Sequence, residues 1–273
     1  MIELRKFEEI TQIRMKPERA GHPPYWISSY LVDGLLIDTG CKNTEEEFIA
    51  ALDGRTVLVA VNTHHHEDHV GANKAVKEKF GIEIFAHREA VPIIAQVPDM
   101  PSYRLHYWGR REPCEVLPLG DRIETPHHLF EVIETPGHCG GHVALVERAR
   151  GWCFSGDLYI SKKPNVAGPE FNVAHMIRSM KRILSLDMDR IIVMTSALAI
   201  EKNGQQAFQE CVSYLEELCE TVKDLYGMGM TPAEMVTRIF GRESPLKSLT
   251  DGQYSTERLV LLALEAGMQE CGP

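Results

Sequence analysis

Apolar residues fall in short runs and alternations over the first two thirds of the chain, and at helical spacing over the last third. The short runs predict strands over residues 2–15, 25–33, 35–37, 56–63, 82–86, 129–134, 143–147, 151–155 and 190–194. Among them Val57-Leu58-Val59-Ala60-Val61 is continuously apolar, the pattern of a strand covered on both faces. Helical patterns cover 44–52, 70–80 and 171–186. From Phe208, apolar positions recur at Cys211, Val212, Leu215, Leu218, Val222 and Leu225, one face of a helix. Thr231-Pro232-Ala233-Glu234 has the form of a capping box with proline at the first helical position, and Gly241 stops that helix after Phe240. A last, leucine-rich helix is expected over 256–266. Strands mixed with helices predict layered α and β structure, followed by a helical tail.

The chemistry sits where the most apolar strand ends. Thr63-His64-His65-His66-Glu67-Asp68-His69 packs four histidines and two carboxylates into seven residues. Imidazole and carboxylate together are the ligands of zinc and related divalent ions. His64 and His66 are two residues apart, so in extended backbone they leave the same face and grip one ion. Asp68 and His69 follow a turn into the next helix, which re-aims them beside the first pair. Two neighbouring ions fit this spacing, as in hydrolases whose two metals sit about 3.5–4 Å apart.

The pattern His64-x-His66-x-Asp68-His69 resembles the signature of the metallo-β-lactamase superfamily, which includes glyoxalase II, lactonases and ribonuclease Z. Leu35-Leu36-Ile37-Asp38-Thr39-Gly40, Thr135-Pro136-Gly137-His138-Cys139-Gly140-Gly141-His142 and Phe154-Ser155-Gly156-Asp157 resemble its other motifs, in the family's order. The resemblance implies an α/β (α+β) four-layer αββα sandwich, with a C-terminal helical extension in this chain. It divides the chain into a metallo-β-lactamase-like domain, 1–203, and an extension, 204–273. It implies His64, His66 and His138 on a first metal, Asp68 and His69 on a second, and Asp157 bridging them. Asp38 would brace the metal loop by hydrogen bonds. His142 is expected to support the site rather than ligate, and His65 to point away.

One departure stands out. The family's last ligand is a histidine after a late strand. Here that strand runs into Thr195-Ser196-Ala197, so Ser196 or Ala197 takes the position, and His175 is the last histidine of the chain. His175 and Glu201 are the candidate substitutes. The cofactor expected is Zn2+, as one or two ions, with iron or manganese as alternatives.

Composition narrows the partners. The 273 residues carry a net charge of −10, which argues against a general nucleic-acid binder. No apolar run approaches the roughly 20 residues that span a bilayer. With no export signal read at its start, the expected compartment is the cytoplasm. Seven cysteines without a Cys-x-x-Cys pair argue against a disulfide framework. Arg104, Arg110 and Arg111 share the aromatic-rich stretch 98–113 with Tyr103, His106, Tyr107 and Trp108, either a solvated connection with aromatics packed beneath it or a loop at the mouth of the site, where the arginines would meet an anionic group of a small-molecule substrate. The terminal helices either pack on the sandwich, shape the pocket or form a homodimer interface.

Together these features predict a metal-dependent hydrolase in which a metal-bound hydroxide attacks an ester, thioester or lactone, with Asp68 as the catalytic carboxylate. The alternatives are a mononuclear iron dioxygenase acting on a persulfide, its iron held by His64, His138 and Asp157, and a phosphodiesterase or ribonuclease of the same superfamily.

Overall fold

The computed structural model describes residues 1–17, 25–97, 99–197 and 200–269. Pro98, at the start of the aromatic-rich stretch, and Cys271 lie outside the described residues. The strands are β1 (Ile2–Phe7), β2 (Ile10–Met15), β3 (Ile27–Val32), β4 (Leu35–Ile37), β5 (Val59–Asn62), β6 (Ile84–Ala86), β7 (Leu117–Pro118), β8 (Arg122–Glu124), β9 (Leu129–Glu134), β10 (Val143–Glu147), β11 (Trp152–Gly156) and β12 (Ile192–Thr195). The helices are α1 (Glu45–Ala51), α2 (Glu67–Val70), α3 (Asn73–Phe80), α4 (Val91–Ile94), α5 (Ser102–Trp108), α6 (Val173–Leu184), α7 (Gly204–Gly227), α8 (Pro232–Phe240), α9 (Leu246–Leu249) and α10 (Thr256–Gln269).

The chain divides into two units, one of residues 1–134, 141–157 and 188–202, the other of 135–140, 158–187 and 203–273. Every strand among the described residues belongs to the first. β1 to β7 form one sheet in sequence order, and β12-β11-β10-β9-β8 form the other. The sheets face each other across Tyr30, Val32, Leu35, Ile37 and Val61 of the first and Phe130, Leu145, Trp152, Phe154 and Met194 of the second. On the outer face of the first sheet, Phe48 of α1, Val76 of α3 and Ile94 of α4 pack with Ile13, Leu36, Ala60 and Ile84. Strands covered on both faces must be apolar throughout, which is why β3, β4 and β10 are buried at every residue.

Two expected elements are divided. The strand read over 2–15 is a hairpin, Ile2 facing Met15 and Phe7 facing Ile10, because Glu8 turns the chain with a left-handed φ of 51°. The helix read over 70–80 is α2 and α3 with a break at Gly71. A Cβ on Gly71 would lie 2.5 Å from backbone atoms of Cys41 and Lys42, so the break serves a close crossing of two loops. The turn between β3 and β4 is the two-residue Asp-Gly type that a twisted hairpin favours, with Asp33 and Gly34 at φ 48° and 82°.

The second unit is helical. α7 packs along α6 and α10, with Phe208, Cys211, Leu215, Leu218 and Val222 buried as the spacing predicts. Both hydrogen bonds of the Thr231–Glu234 capping box are made. The six described cysteines are all buried. No helix among the described residues is long and apolar enough to cross a membrane.

Candidate metal centre

Within the first unit the candidate residues leave the carboxyl ends of parallel strands. β4 and β5 are parallel with Ile37 beside Val61, so Asp38 and Thr63-His64 emerge side by side. β11 and β12 are parallel with Gly156 beside Thr195, so Asp157 and Ser196 do the same. Strand ends of this kind are where parallel sheets place their ligand sites, because loops take over from the ladder there.

Asp38 is the hub. It is buried, in left-handed backbone at φ 60°. Its Oδ1 accepts the Thr63 backbone N–H at 2.7 Å, and its Oδ2 accepts the Thr63 hydroxyl and His69 Nδ1, each at 2.8 Å. With its one hydroxyl hydrogen given to Asp38, Thr63 Oγ1 can only accept from His64 Nδ1, 3.1 Å away. One carboxylate therefore sets both imidazoles with hydrogen on Nδ1 and leaves Nε2 of each for other work. His64 Nε2 lies 3.1 Å from His66 Nδ1. His69 Nε2 is buried and makes no hydrogen bond; its nearest acidic oxygens are on Asp157 at 3.4 Å and Asp68 at 3.8 Å. Ligand atoms of His64, His69 and Asp157 all lie within 4.8 Å of one another.

The loop carrying these groups is pinned from below. Thr39 and Asn62 both donate to the His69 carbonyl, and Asn62 and Asn73 exchange amide hydrogen bonds at 2.8 and 3.1 Å. From α5, Arg104 meets the buried Glu67 at 2.6 Å. Arg111 is buried and donates to the carbonyls of Ile93 and Ile94. Two of the three arginines read as substrate contacts thus hold protein groups, and Arg110 is the exposed one. α5 itself is held by Asn43, whose amide donates to the carbonyls of His106 and Tyr107.

The electrostatics call for a cation. Burial pushes the Asp68 carboxyl up to about 6, and the Asp157 charge adds to the rise. Burial pushes the His69 imidazole down, yet Asp38, Asp157 and Asp68 outweigh it and hold it well above its usual range. A metal ion placed there would take over the role of that proton. Buried imidazole nitrogen and carboxylate oxygen, with His69 Nε2 orphaned, fit a divalent ion.

The supporting residues have defined tasks. His142 Nε2 accepts the backbone N–H of Asp157 at 3.1 Å, which fixes the start of the Asp157 loop. Gly156 has φ 48°, and a Cβ there would lie 2.7 Å from His142 Nε2 and 2.8 Å from Thr63 Oγ1. Ser196 is buried, and its hydroxyl donates to Asp157 Oδ1. The register thus puts Ser196, not Ala197, opposite Asp157. Glu201 meets Val193 in an isolated bridge through its backbone. His175 is exposed in the first turn of α6. His138 lies in the second unit, buried, its ring 4.8 Å from that of Phe171. His65 is half-buried. Sequence reasoning assigned no part to Thr63, Asn73 or the Glu67–Arg104 pair. Thr63 was legible as the hydroxyl preceding the first histidine, whereas Arg104 lies 37 positions from Glu67 and only the fold joins them.

The family model of the metallo-beta-lactamase superfamily matches residues 24–193. The chain belongs to that superfamily. Its α7–α10 region follows the matched segment. It is 29% identical over 147 residues to the hydroxyacylglutathione hydrolase GloC of Haemophilus influenzae, covering 50% of this chain and 66% of that one. It is 30% identical over 139 residues to the probable metallo-hydrolase YybB of Bacillus subtilis, covering 50% and 62%. The chain spans from 26% to 66% of the length of the first hydroxyacylglutathione hydrolases it matches. Among solved structures, a metallo-beta-lactamase family protein from Thermus thermophilus superposes with a TM-score of 0.63, at 21% identity over 94% of this chain and 93% of that one. That likeness shows the fold, a mixed α/β sandwich of two sheets.

Proposed function

We propose that the protein hydrolyses a small acyl compound, a thioester before an ester or lactone, at a centre of one or two zinc ions. The metal ligands are His64, His66 and His138 for a first ion and Asp68 and His69 for a second, with Asp157 shared between them, as the family resemblance assigns them. Iron or manganese suits the same donors. The observation that carries the reading is the Asp38 relay, which readies His64 through Thr63 and His69 directly, beside two carboxylates. A divalent ion bound there supplies Lewis acidity and brings the pKa of water to about 7. Asp68, placed among the ligand groups, is suited to orient the attacking water or to shuttle its proton. The thioester preference follows the hydroxyacylglutathione hydrolases among the relatives. Glutathione carries carboxylates, and exposed Arg110 is the basic group that stays available for them.

The test combines metal analysis with hydrolysis of matched thioesters, esters and lactones. One or two zinc ions per chain, hydrolysis lost with chelator, and loss of both in His66→Ala are expected. A His66→Ala variant with unchanged metal content and activity would overturn the assignment. A second reading rests on His64, His69 and Asp157, a set of two histidines and one carboxylate that also suits a single non-heme iron. Oxygen uptake by iron-loaded protein with glutathione persulfide distinguishes it.

A further inference from the structure

The residue standing where the resemblance expects the last ligand histidine is a serine with a definite contact. Gly156 and Thr195 are neighbours in the parallel β11–β12 pair, so the next residues, Asp157 and Ser196, are brought together. The Ser196 hydroxyl donates to Asp157 Oδ1. That oxygen is the one facing His69 Nε2, at 3.4 Å. The oxygen best placed to serve an ion on His69 is therefore already an acceptor.

The strand end is held in this register. Tyr30 Oη donates to the Thr195 carbonyl at 2.6 Å, Ser155 Oγ donates to the Met194 carbonyl at 3.4 Å, and the Ser196 N–H reaches the Gly156 carbonyl at 3.4 Å. Ala197, the next residue, has no side-chain atom that could ligate an ion. β12 cannot slide to offer another side chain without breaking these bonds. A neutral hydroxyl, its hydrogen committed to a carboxylate, is a poor substitute for imidazole nitrogen toward zinc.

We propose that Ser196 makes the two metal positions unequal. One ion is held tightly, and the ion at Asp68, His69 and Asp157 binds at least about 10-fold more weakly, the lower end of what losing even an outer-shell partner costs in affinity. Ser196 is in this view a positioning residue that engages the Asp157 oxygen facing His69 and so leaves the second position exchangeable. The inference rests on the metal-centre reading above.

The test is calorimetric titration of the full chain, stripped of metal, with zinc and separately with manganese, together with metal content after dialysis. The wild type is expected to retain one zinc on dialysis and to take a second at least about 10-fold more weakly. Ser196→His should tighten the second equivalent at least about 10-fold. Ser196→Cys, nearly the size of serine, guards against a histidine that disturbs folding. Its thiolate should tighten zinc at least about 10-fold and leave manganese unchanged, because thiolate is a soft ligand. With cobalt(II), the Cys variant should add a thiolate charge-transfer band absent from the wild type. Two equally tight zinc ions in the wild type would overturn the proposal and leave the hydrolase reading standing. Folded His and Cys variants that both leave the second equivalent unchanged would overturn it too. No ion bound at all would sink the metal-centre reading, and this proposal with it.

Discussion

Replacing Asp38 by asparagine tests the relay with the least disturbance elsewhere. Asparagine tolerates left-handed backbone about as well as aspartate, so the φ of 60° at this position is no obstacle. The amide oxygen can keep the Thr63 N–H, now held at 2.7 Å. The amide nitrogen, however, brings a donor to where Oδ2 accepts from Thr63 Oγ1 and His69 Nδ1 at 2.8 Å each. Thr63 must rotate and His69 must move its hydrogen to Nε2, the nitrogen needed for metal. Hydrogen bonds to a charged group contribute about 1.5–3 kcal/mol each, and the Thr63 hydroxyl can find partial compensation. The expected loss is about 2–4 kcal/mol in metal-free protein, roughly 4–16 °C in Tm for a chain of this size. Metal affinity should fall a further 10–100-fold, the usual cost of losing a partner that orients a ligand. Scanning calorimetry in chelator, followed by zinc titration, measures both. An Asp38→Asn protein that melts within about 1 °C of wild type and binds zinc as tightly would refute the relay.

Three further outcomes follow from the structure. Arg104→Met strands the Glu67 carboxylate, whose side chain is 7% exposed, and should cost about 3–5 kcal/mol by urea unfolding, with Glu67→Gln in the same chain restoring most of it; additive losses would show that the pair is not coupled. Gly156→Ala meets both a left-handed φ and contacts under 3 Å, so a loss of about 2–5 kcal/mol and reduced zinc retention are expected, and an unchanged melting curve would contradict the packing around His142 and Thr63. Asp33 is destabilised by partial burial, but the Thr125 hydroxyl and the His127 side chain and N–H outweigh this and hold its carboxyl at about 2. A carboxyl depressed on folding stabilises above its unfolded value near 4 and loses that contribution as pH falls toward 2. Asp33→Asn should therefore cost about 1–2 kcal/mol at pH 7 and little at pH 2; an equal cost at both would show that charge is not the cause.

What the sequence determined alone was the chemistry that lies close in the chain. His64, His66, Asp68 and His69 are within six residues of one another, so their donor set and spacing are local facts, and the apolar run before them places them at a strand end. The same holds for the Thr231 capping box and for the face of α7 from Phe208 to Val222. Side-chain periodicity reports local burial, and these features are local. The hairpin at Glu8 and the break at Gly71 escaped that reading. Each depends on a distant partner or a single backbone angle, and apolar spacing runs straight through both.

The tertiary structure decided which distant residues meet. The sequence offered Ser196 or Ala197 opposite Asp157; the parallel register of β11 and β12 selected Ser196. Arginines that suggested an anionic substrate turned out to hold Glu67 and the Ile93 and Ile94 carbonyls. Asp38 became a hub for His64 and His69 because β4 and β5 run parallel and end together. Hydrogen-bond register and the pairing of buried charges are set by contacts between segments 25 to 40 positions apart, about which the order of residues within one segment carries no information.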